Sequence, residues 1–240
     1  MVPDITRGSP TSLTIAAVYP PPRRATLRGV ITDWGGVFTN SIADAVSGWL
    51  EADLIDRNTY RAAMKAWLTQ AYDGDGDDNP VHRLERGDGD PAEFERALAA
   101  LLLRTDGTQV AAEGLLSRMF AGTLPVPAMY DLMRTVRAAG YRTCLLSNSW
   151  GDDGYYPREV FPELFDAWVI SHEVRMRKPE ERIFRHAAAL VGLRPEQCVF
   201  IDDIEANVAA AAALGMVGVH HTDPAVTAAA IADLLGLPGH

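Results

Sequence analysis

The stretch ITDWGGVFTN, residues 31–40, carries a single carboxylate, Asp33, at the end of a short apolar run, with Gly35 and Gly36 close behind it. Residues 29–33, GVITD, read as a buried strand that runs into a turn. A carboxylate at such a strand end is well placed to act as a nucleophile or a metal ligand. Catalysis by such a group often needs a partner acid, and Gly35 stands where one would sit.

Outward from this stretch the pattern changes twice. Between 41 and 124, apolar residues recur at spacings of three and four: Ile42, Val46, Trp49 and Leu50, then Ala63, Met64, Trp67 and Leu68, then Phe94, Leu98, Leu101 and Leu102. That spacing predicts a small helical bundle. From 125 onward helices and strands alternate: helix 128–139, strand 142–147, a helix, strand 167–170, helix 180–191, strand 198–201, helix 205–214, strand 217–219 and helix 225–235. Repeated βα units imply an α/β fold of three layers, a Rossmann-like parallel sheet covered on both faces. The domain reading is an N-terminal extension over 1–27, an α/β core from 28–40 and 125–240, and an inserted α-helical block over 41–124.

In such sheets ligands bind beyond the carboxyl ends of the strands. Those ends carry Asp33, then Ser147 and Asn148 after TCLL, Lys178 in RMRKPEE, and Asp202 with Asp203 after CVFI. Each alone has a bland explanation. Asp33 can cap a turn, Ser147 and Asn148 can satisfy loop amides, Lys178 can be a solvated charge, and Asp202 and Asp203 can open a helix whose positive end favours carboxylates. All of them on one sheet edge make a site that handles a phosphoryl group. Asp33 and Asp203, with a backbone carbonyl of the first turn, offer hard oxygen ligands for Mg²⁺. Ser147 and the amides beside it can bond phosphoryl oxygens, and Lys178 supplies a point charge. Asp33 would then attack phosphorus to form an aspartyl phosphate that water later cleaves.

The segments DWGGV, LLSNS, RKP and IDDIEAN, in that order, resemble the haloacid dehalogenase (HAD) superfamily over about 27–235. SNSWGDD, VRMRKPEERIF and FIDDIEANVAAAAALGM are similar to the group that includes the N-terminal phosphatase domain of soluble epoxide hydrolase. The helical block fits the place of that family's mobile cap, and LERGDGDPAEFERAL resembles a cap segment. The resemblance implies Asp33 as nucleophile and metal ligand, Gly35 as a metal ligand through its carbonyl, and Asp203 as a direct ligand. It further implies Ser147 and Asn148 as phosphate contacts, Lys178 as charge neutraliser, Asp202 as an outer-shell ligand and Asn207 as an orienting residue.

Where the family usually has a second aspartate, the general acid and base, this chain has Gly35. General acid catalysis typically contributes ~10²–10⁴-fold, so its loss hurts alkyl esters more than sugar 1-phosphates, aryl or acyl phosphates. The expectation is a Mg²⁺-dependent phosphomonoester hydrolase that prefers good leaving groups, or one that takes its acid from the cap or the substrate. Two other classes stay open: a hydrolytic dehalogenase, which needs no metal and so no Asp202–Asp203 pair, and a HAD-fold binding protein without turnover.

Composition, 48% hydrophobic and 22% charged, is that of an ordinary soluble protein, and the formal net charge of −10 disfavours a nucleic-acid partner. No run reaches the roughly 20 apolar residues that span a bilayer. The expectation is therefore a cytoplasmic protein acting on a small phosphorylated molecule, as a monomer or homodimer. Cys144 and Cys198 lie in apolar runs and read as buried thiols. The acidic stretch DGDGDDNP, residues 73–80, lacks the Gly and Glu of a calcium loop, and Gly74 with Gly76 is a weak nucleotide signal. His82 and His172 are candidate substitute proton donors, Arg175 and Arg177 can widen the positive field, and Trp150 can touch a leaving group. Trp49 and Trp67 read as packing, and His220 and His221 lack the carboxylate company of a metal site.

Overall fold

A computed structural model describes residues 26–73, 79–151 and 153–237. The acidic stretch's centre, with Gly74 and Gly76, and all but two residues of the N-terminal extension lie outside that set.

Five strands, β1 (Gly29–Thr32), β2 (Arg142–Ser147), β3 (Ala167–Ile170), β4 (Cys198–Asp202) and β5 (Val217–His220), form one parallel sheet in the order β3-β2-β1-β4-β5. Side chains alternate between its faces, as the pleat demands. Val30, Leu145, Val199 and Ile201 enter one core cluster, and Ile31, Cys144, Leu146 and Phe200 enter the other. Both faces are covered, which explains why the strands read as apolar runs rather than as alternations.

Helices α1 (Ile42–Ala52), α2 (Arg57–Asp73), α3 (Pro80–Glu85), α4 (Pro91–Leu101) and α5 (Leu115–Phe120) fill the interval between β1 and the core helix α6 (Pro127–Ala138). Their starts are chemically marked. Ser41 caps α1, while Asn79 and Asp90 cap α3 and α4, each followed by a proline that needs no donor. They pack around their own core of Trp49, Leu50, Leu84, Phe94, Leu98 and Leu115, so this is an inserted helical unit rather than a decoration of the sheet. Leu101, expected on the inward stripe, is instead exposed. The two strands of chain entering and leaving the unit lie side by side, with Asn40 N donating to Leu124 O at 2.9 Å and Val126 N to Phe38 O at 2.8 Å.

One expected element changes. The helix foreseen between β2 and β3 is only the four-residue α7 (Phe161–Leu164), preceded by 3₁₀ turns. Gly151, Gly154, Pro157 and Pro162 crowd that interval, and glycine and proline both work against a long helix there. After β3 come α8 (Ser171–Val174), α9 (Glu181–Leu190), α10 (Glu205–Ala213) and α11 (Pro224–Leu235). Helices α6, α7 and α11 cover one face, α9 and α10 the other. The chain departs from β1 to β2 on one side and returns from β3 to β4 on the other. That reversal places a crevice beyond the carboxyl end of β1.

Candidate active site

Parallel register sets the site. Thr32 of β1 pairs with Leu145 and with Ile201, so Asp33 emerges between the ends of β2 and β4, beside Ser147 and Asp202. Trp34 N donates to Asp33 Oδ1 at 2.7 Å, and Trp34 itself is locked by stacking on Phe38, 5.1 Å between ring centroids. Lys178 Nζ reaches the same Oδ1 at 2.8 Å and Asp202 Oδ2 at 2.6 Å. Asp33 Oδ2 accepts no hydrogen bond among the described residues.

Asp202 is fully buried and held from three sides, by Lys178, by Ile204 N at 2.8 Å, and by Asn207 Nδ2 at 3.1 and 3.2 Å from its two oxygens. Asp203 points elsewhere. Its carboxylate approaches Gly36 so closely that a Cβ there would lie 2.1 Å from Oδ2, which only glycine, at φ 74°, permits. Oxygen atoms of Asp33, Asp202 and Asp203 all lie within 4.8 Å of one another.

Three carboxylates around one ammonium leave an excess of negative charge. Burial, opposed by Lys178 and reinforced by Asp202 and Asp203, pushes Asp33 up to about 7. Asp203 rises to about 6, chiefly through burial and the charge of Asp202. Desolvation works against the Lys178 ammonium, yet Asp202 and Asp33 outweigh it and raise its pKa.

Ser147 Oγ lies 2.9 Å from Tyr156 Oη at the end of β2. Asn148, foreseen as a phosphate contact, turns its amide to the Lys178 backbone, accepting from Lys178 N at 2.8 Å and donating to Lys178 O at 3.1 Å. The Lys178–Pro179 peptide is cis.

These groups face a cavity of about 230 Å³, with Asp33, Gly35, Ser147, Asn148, Lys178, Asp203 and Asn207 in its wall. Asp202 sits behind that wall. Other parts of the lining were not foreseen from sequence, Trp150 excepted: Ile42 and Phe120 come from the inserted helices, and Trp150 and Tyr155 from the loop after β2. The only signal was the aromatic pair Tyr155–Tyr156 following the strand-end loop. Neither His82 nor His172 lines the cavity. Arg177 pairs with Glu85 across the interface between the helical unit and the sheet, as Arg86 does with Glu180 at 2.7 Å. Arg175 reaches Asp88 at 3.8 Å. His220 Nε2 lies 3.0 Å from the Asp203 carbonyl, and His221 Nδ1 lies 2.8 Å from Thr227 Oγ1. Both cysteines are buried, and burial pushes the Cys198 thiol up to about 12, which leaves it inert.

Several known proteins are similar to this chain in sequence. Acyl-CoA dehydrogenase family member 10 of Mus musculus is 26% identical over 218 residues, 89% of this chain but 20% of that protein. Bifunctional epoxide hydrolase 2 of Rattus norvegicus is 29% identical over 118 residues, 46% of this chain and 21% of that protein, so the chain spans about a fifth of either. Sesquiterpene phosphatase astK of Aspergillus oryzae is 31% identical over 157 residues, 64% of this chain and 78% of that protein. Among solved structures, a HAD family enzyme of Bacteroides thetaiotaomicron, in complex with magnesium and inorganic phosphate, shares the fold. Its TM-score is 0.57 at 23% identity, over 79% of this chain and 91% of that one. The family model for haloacid dehalogenase-like hydrolases matches residues 27–215, and with it strands β1 to β4, the inserted helices and the segments DWGGV, LLSNS, RKP and IDDIEAN: the chain belongs to the haloacid dehalogenase-like hydrolase family.

Proposed function

We propose that the protein is a Mg²⁺-dependent phosphomonoester hydrolase acting on a small phosphorylated molecule through an aspartyl phosphate on Asp33. The observation that carries this reading is Asp33 itself, with one oxygen held by Trp34 N and Lys178 and the other unengaged at a cavity lined by Ser147 and Asp203. The relatives named above include a sesquiterpene phosphatase and a structure holding magnesium and phosphate, which supports the same chemistry.

The donor set suits a hard divalent cation. Clustered carboxylates that share one ammonium and titrate high gain from added positive charge, and oxygen ligands are what Mg²⁺ prefers. Asp33, Asp203 and the Gly35 carbonyl would hold it, with Asp202 behind, kept in place by Lys178 and Asn207. When bound, the cation neutralises and polarises the phosphoryl oxygens. A metal-free halide displacement has no need of this cluster.

The remaining roles fall to the chain. Lys178 orients Asp33 and offsets the charge that a phosphate dianion brings. Ser147 hydrogen-bonds a phosphoryl oxygen, and Asn148 fixes the Lys178 backbone. Asp33 Oδ2 forms a bond to phosphorus as the bond to the leaving oxygen breaks, and water later cleaves the acyl phosphate. With Gly35 in place of an acid, esters with good leaving groups are favoured. The helices over 41–124 act as the cap that closes this cavity.

A panel of aryl, acyl, sugar and alkyl phosphates, assayed with and without Mg²⁺ beside Asp33→Asn, tests the proposal. Metal-dependent phosphate release that Asp33→Asn abolishes supports it. Turnover that survives either the chelator or the substitution overturns it.

A further inference from the structure

We propose that Tyr155 takes over the contact an acidic side chain at position 35 would make, donating a hydrogen bond from its Oη to the leaving-group oxygen of the substrate. This inference rests on the phosphatase reading and adds a specificity to it.

Space is the first argument. A Cβ on Gly35 would lie 3.2 Å from Tyr155 Oη and 3.2 Å from Ile42 Cδ1, tight enough that both neighbours would have to give. Gly36, not Gly35, is the glycine of this turn that the backbone requires, at φ 74°. A side chain at position 35 would therefore press on both, and one of the two is a polar hydroxyl.

Hydrogen bonding is the second. Tyr155 Oη is buried and makes no well-formed hydrogen bond among the described residues, the Thr39 hydroxyl being the one polar side chain that approaches it as a partner. The Thr39 hydroxyl gives its one proton to the Asn40 carbonyl at 2.9 Å and accepts from Gly36 N at 3.0 Å, so toward Tyr155 it offers only its remaining lone pair. A buried hydroxyl this poorly satisfied is costly, and at functional sites it commonly awaits a better partner. Here the awaited partner is an oxygen entering the cavity that Tyr155 lines together with Asp33 and Gly35.

Rigidity is the third. The Tyr155 ring lies 5.3 Å from that of Phe120 and 5.0 Å, edge-on, from that of Tyr156. Tyr156 is in turn tied to Ser147 at 2.9 Å. A donor held this way is preorganised toward charge that develops on a nearby oxygen.

Burial, against a smaller opposing effect of the Thr39 hydroxyl, also holds the phenol well above its ordinary pKa. Such a group keeps its proton. It differs from a carboxylic acid in stabilising the departing oxygen without protonating it. As the Asp33 Oδ2–phosphorus bond forms, the bond from phosphorus to the leaving oxygen breaks and that oxygen keeps the electron pair. The group leaves as an anion hydrogen-bonded to Tyr155. Acyl phosphates and aryl esters of acidic phenols, whose leaving groups depart readily as anions, are the substrate class this arrangement suits.

The test compares wild type, Tyr155→Phe, Asp33→Asn and Gly35→Asp on a series of aryl phosphates of graded leaving-group acidity and one alkyl phosphate, all in Mg²⁺. Tyr155→Phe is expected to lower kcat by roughly 10²-fold, most for the poorest aryl leaving group, with KM little changed and the melting temperature not lowered. Gly35→Asp is expected to lower turnover, since its side chain and Tyr155 compete for one space. Rates for Tyr155→Phe within about twofold of wild type across the series, while Asp33→Asn is inactive, overturn this inference alone. So does a reduced melting temperature for Tyr155→Phe, which would place the hydroxyl's bond inside the fold, or a tenfold gain on the alkyl ester from Gly35→Asp. A wild-type protein that releases no phosphate from any ester overturns the phosphatase reading and this inference with it.

Discussion

Lys178 Nζ bridges two carboxylates, 2.8 Å from Asp33 Oδ1 and 2.6 Å from Asp202 Oδ2, at a position 1% exposed to solvent. Charges so deeply buried are tolerated only when paired. Lys178→Met leaves two buried carboxylates without their cation, and breaking such a pair costs about 3–5 kcal/mol. Urea denaturation of the metal-free protein above neutral pH should show a loss of that order. Adding Asp33→Asn to Lys178→Met should recover part of it, because the two residues share one interaction. Additive losses would show that the bridge carries no such weight.

The pH dependence of stability follows from Asp33 and Asp203, which burial raises from 3.8 to about 7 and about 6. Between the unfolded and folded pKa values the native state holds more protons than the unfolded one. Stability that is present at low pH is therefore lost as the pH climbs through that window. Relative to an Asp33→Asn/Asp203→Asn variant, the Mg²⁺-free protein should lose melting temperature between about pH 4 and pH 7. Cation binding displaces those protons, so Mg²⁺ should stabilise wild type more at about pH 8 than at about pH 5. A difference from the variant that stays flat across the window would contradict the raised values.

The apolar strands and helices were readable because burial on both sheet faces leaves an unmistakable pattern, and most ends fell within a residue or two. Asp33, Ser147, Asp202 and Asp203 were readable as neighbours for a related reason: a parallel sheet brings its strand ends to one edge wherever they lie in sequence, whereas Lys178 joins them from the loop after α8. Tyr155 and Ile42 were not, because each reaches the cavity through a tertiary approach that no periodicity records. Asn148 lines the cavity, yet its bonds to the Lys178 backbone depend on how a distant loop packs. Gly35 drew attention as a missing acid, while the stricter demand falls on its neighbour.

That neighbour, Gly36, combines φ 74° with a Cβ position 2.1 Å from Asp203 Oδ2. Gly36→Ala meets two penalties: a left-handed backbone costs an L-residue about 1–2 kcal/mol, and the Asp203 carboxylate must move away. Denaturation should report a loss of about 2 kcal/mol. Calorimetric titration should show Mg²⁺ affinity weakened by roughly tenfold or more, on the scale of a displaced ligand-positioning group. Gly35→Ala, which presses only on the Ile42 side chain and the Tyr155 hydroxyl, should be milder in both measurements. Equal effects from the two substitutions would mean that Asp203 is not held by this close approach.

Asn148 joins two loops that are 30 residues apart in sequence, and both of its bonds end on the Lys178 backbone. Its amide therefore sets where the Lys178 stem begins, and through it where Asp33 Oδ1 is held. A small misplacement of reacting groups can cost about 10²-fold in rate. Asn148→Ala should lower kcat by about that factor with little change in KM, because it disturbs orientation more than the cavity wall. Asn148→Asp keeps the acceptor for Lys178 N but turns a second oxygen toward the Lys178 carbonyl, so it should recover little of the loss. A change confined to KM in Asn148→Ala would instead mark the side chain as a direct phosphate contact.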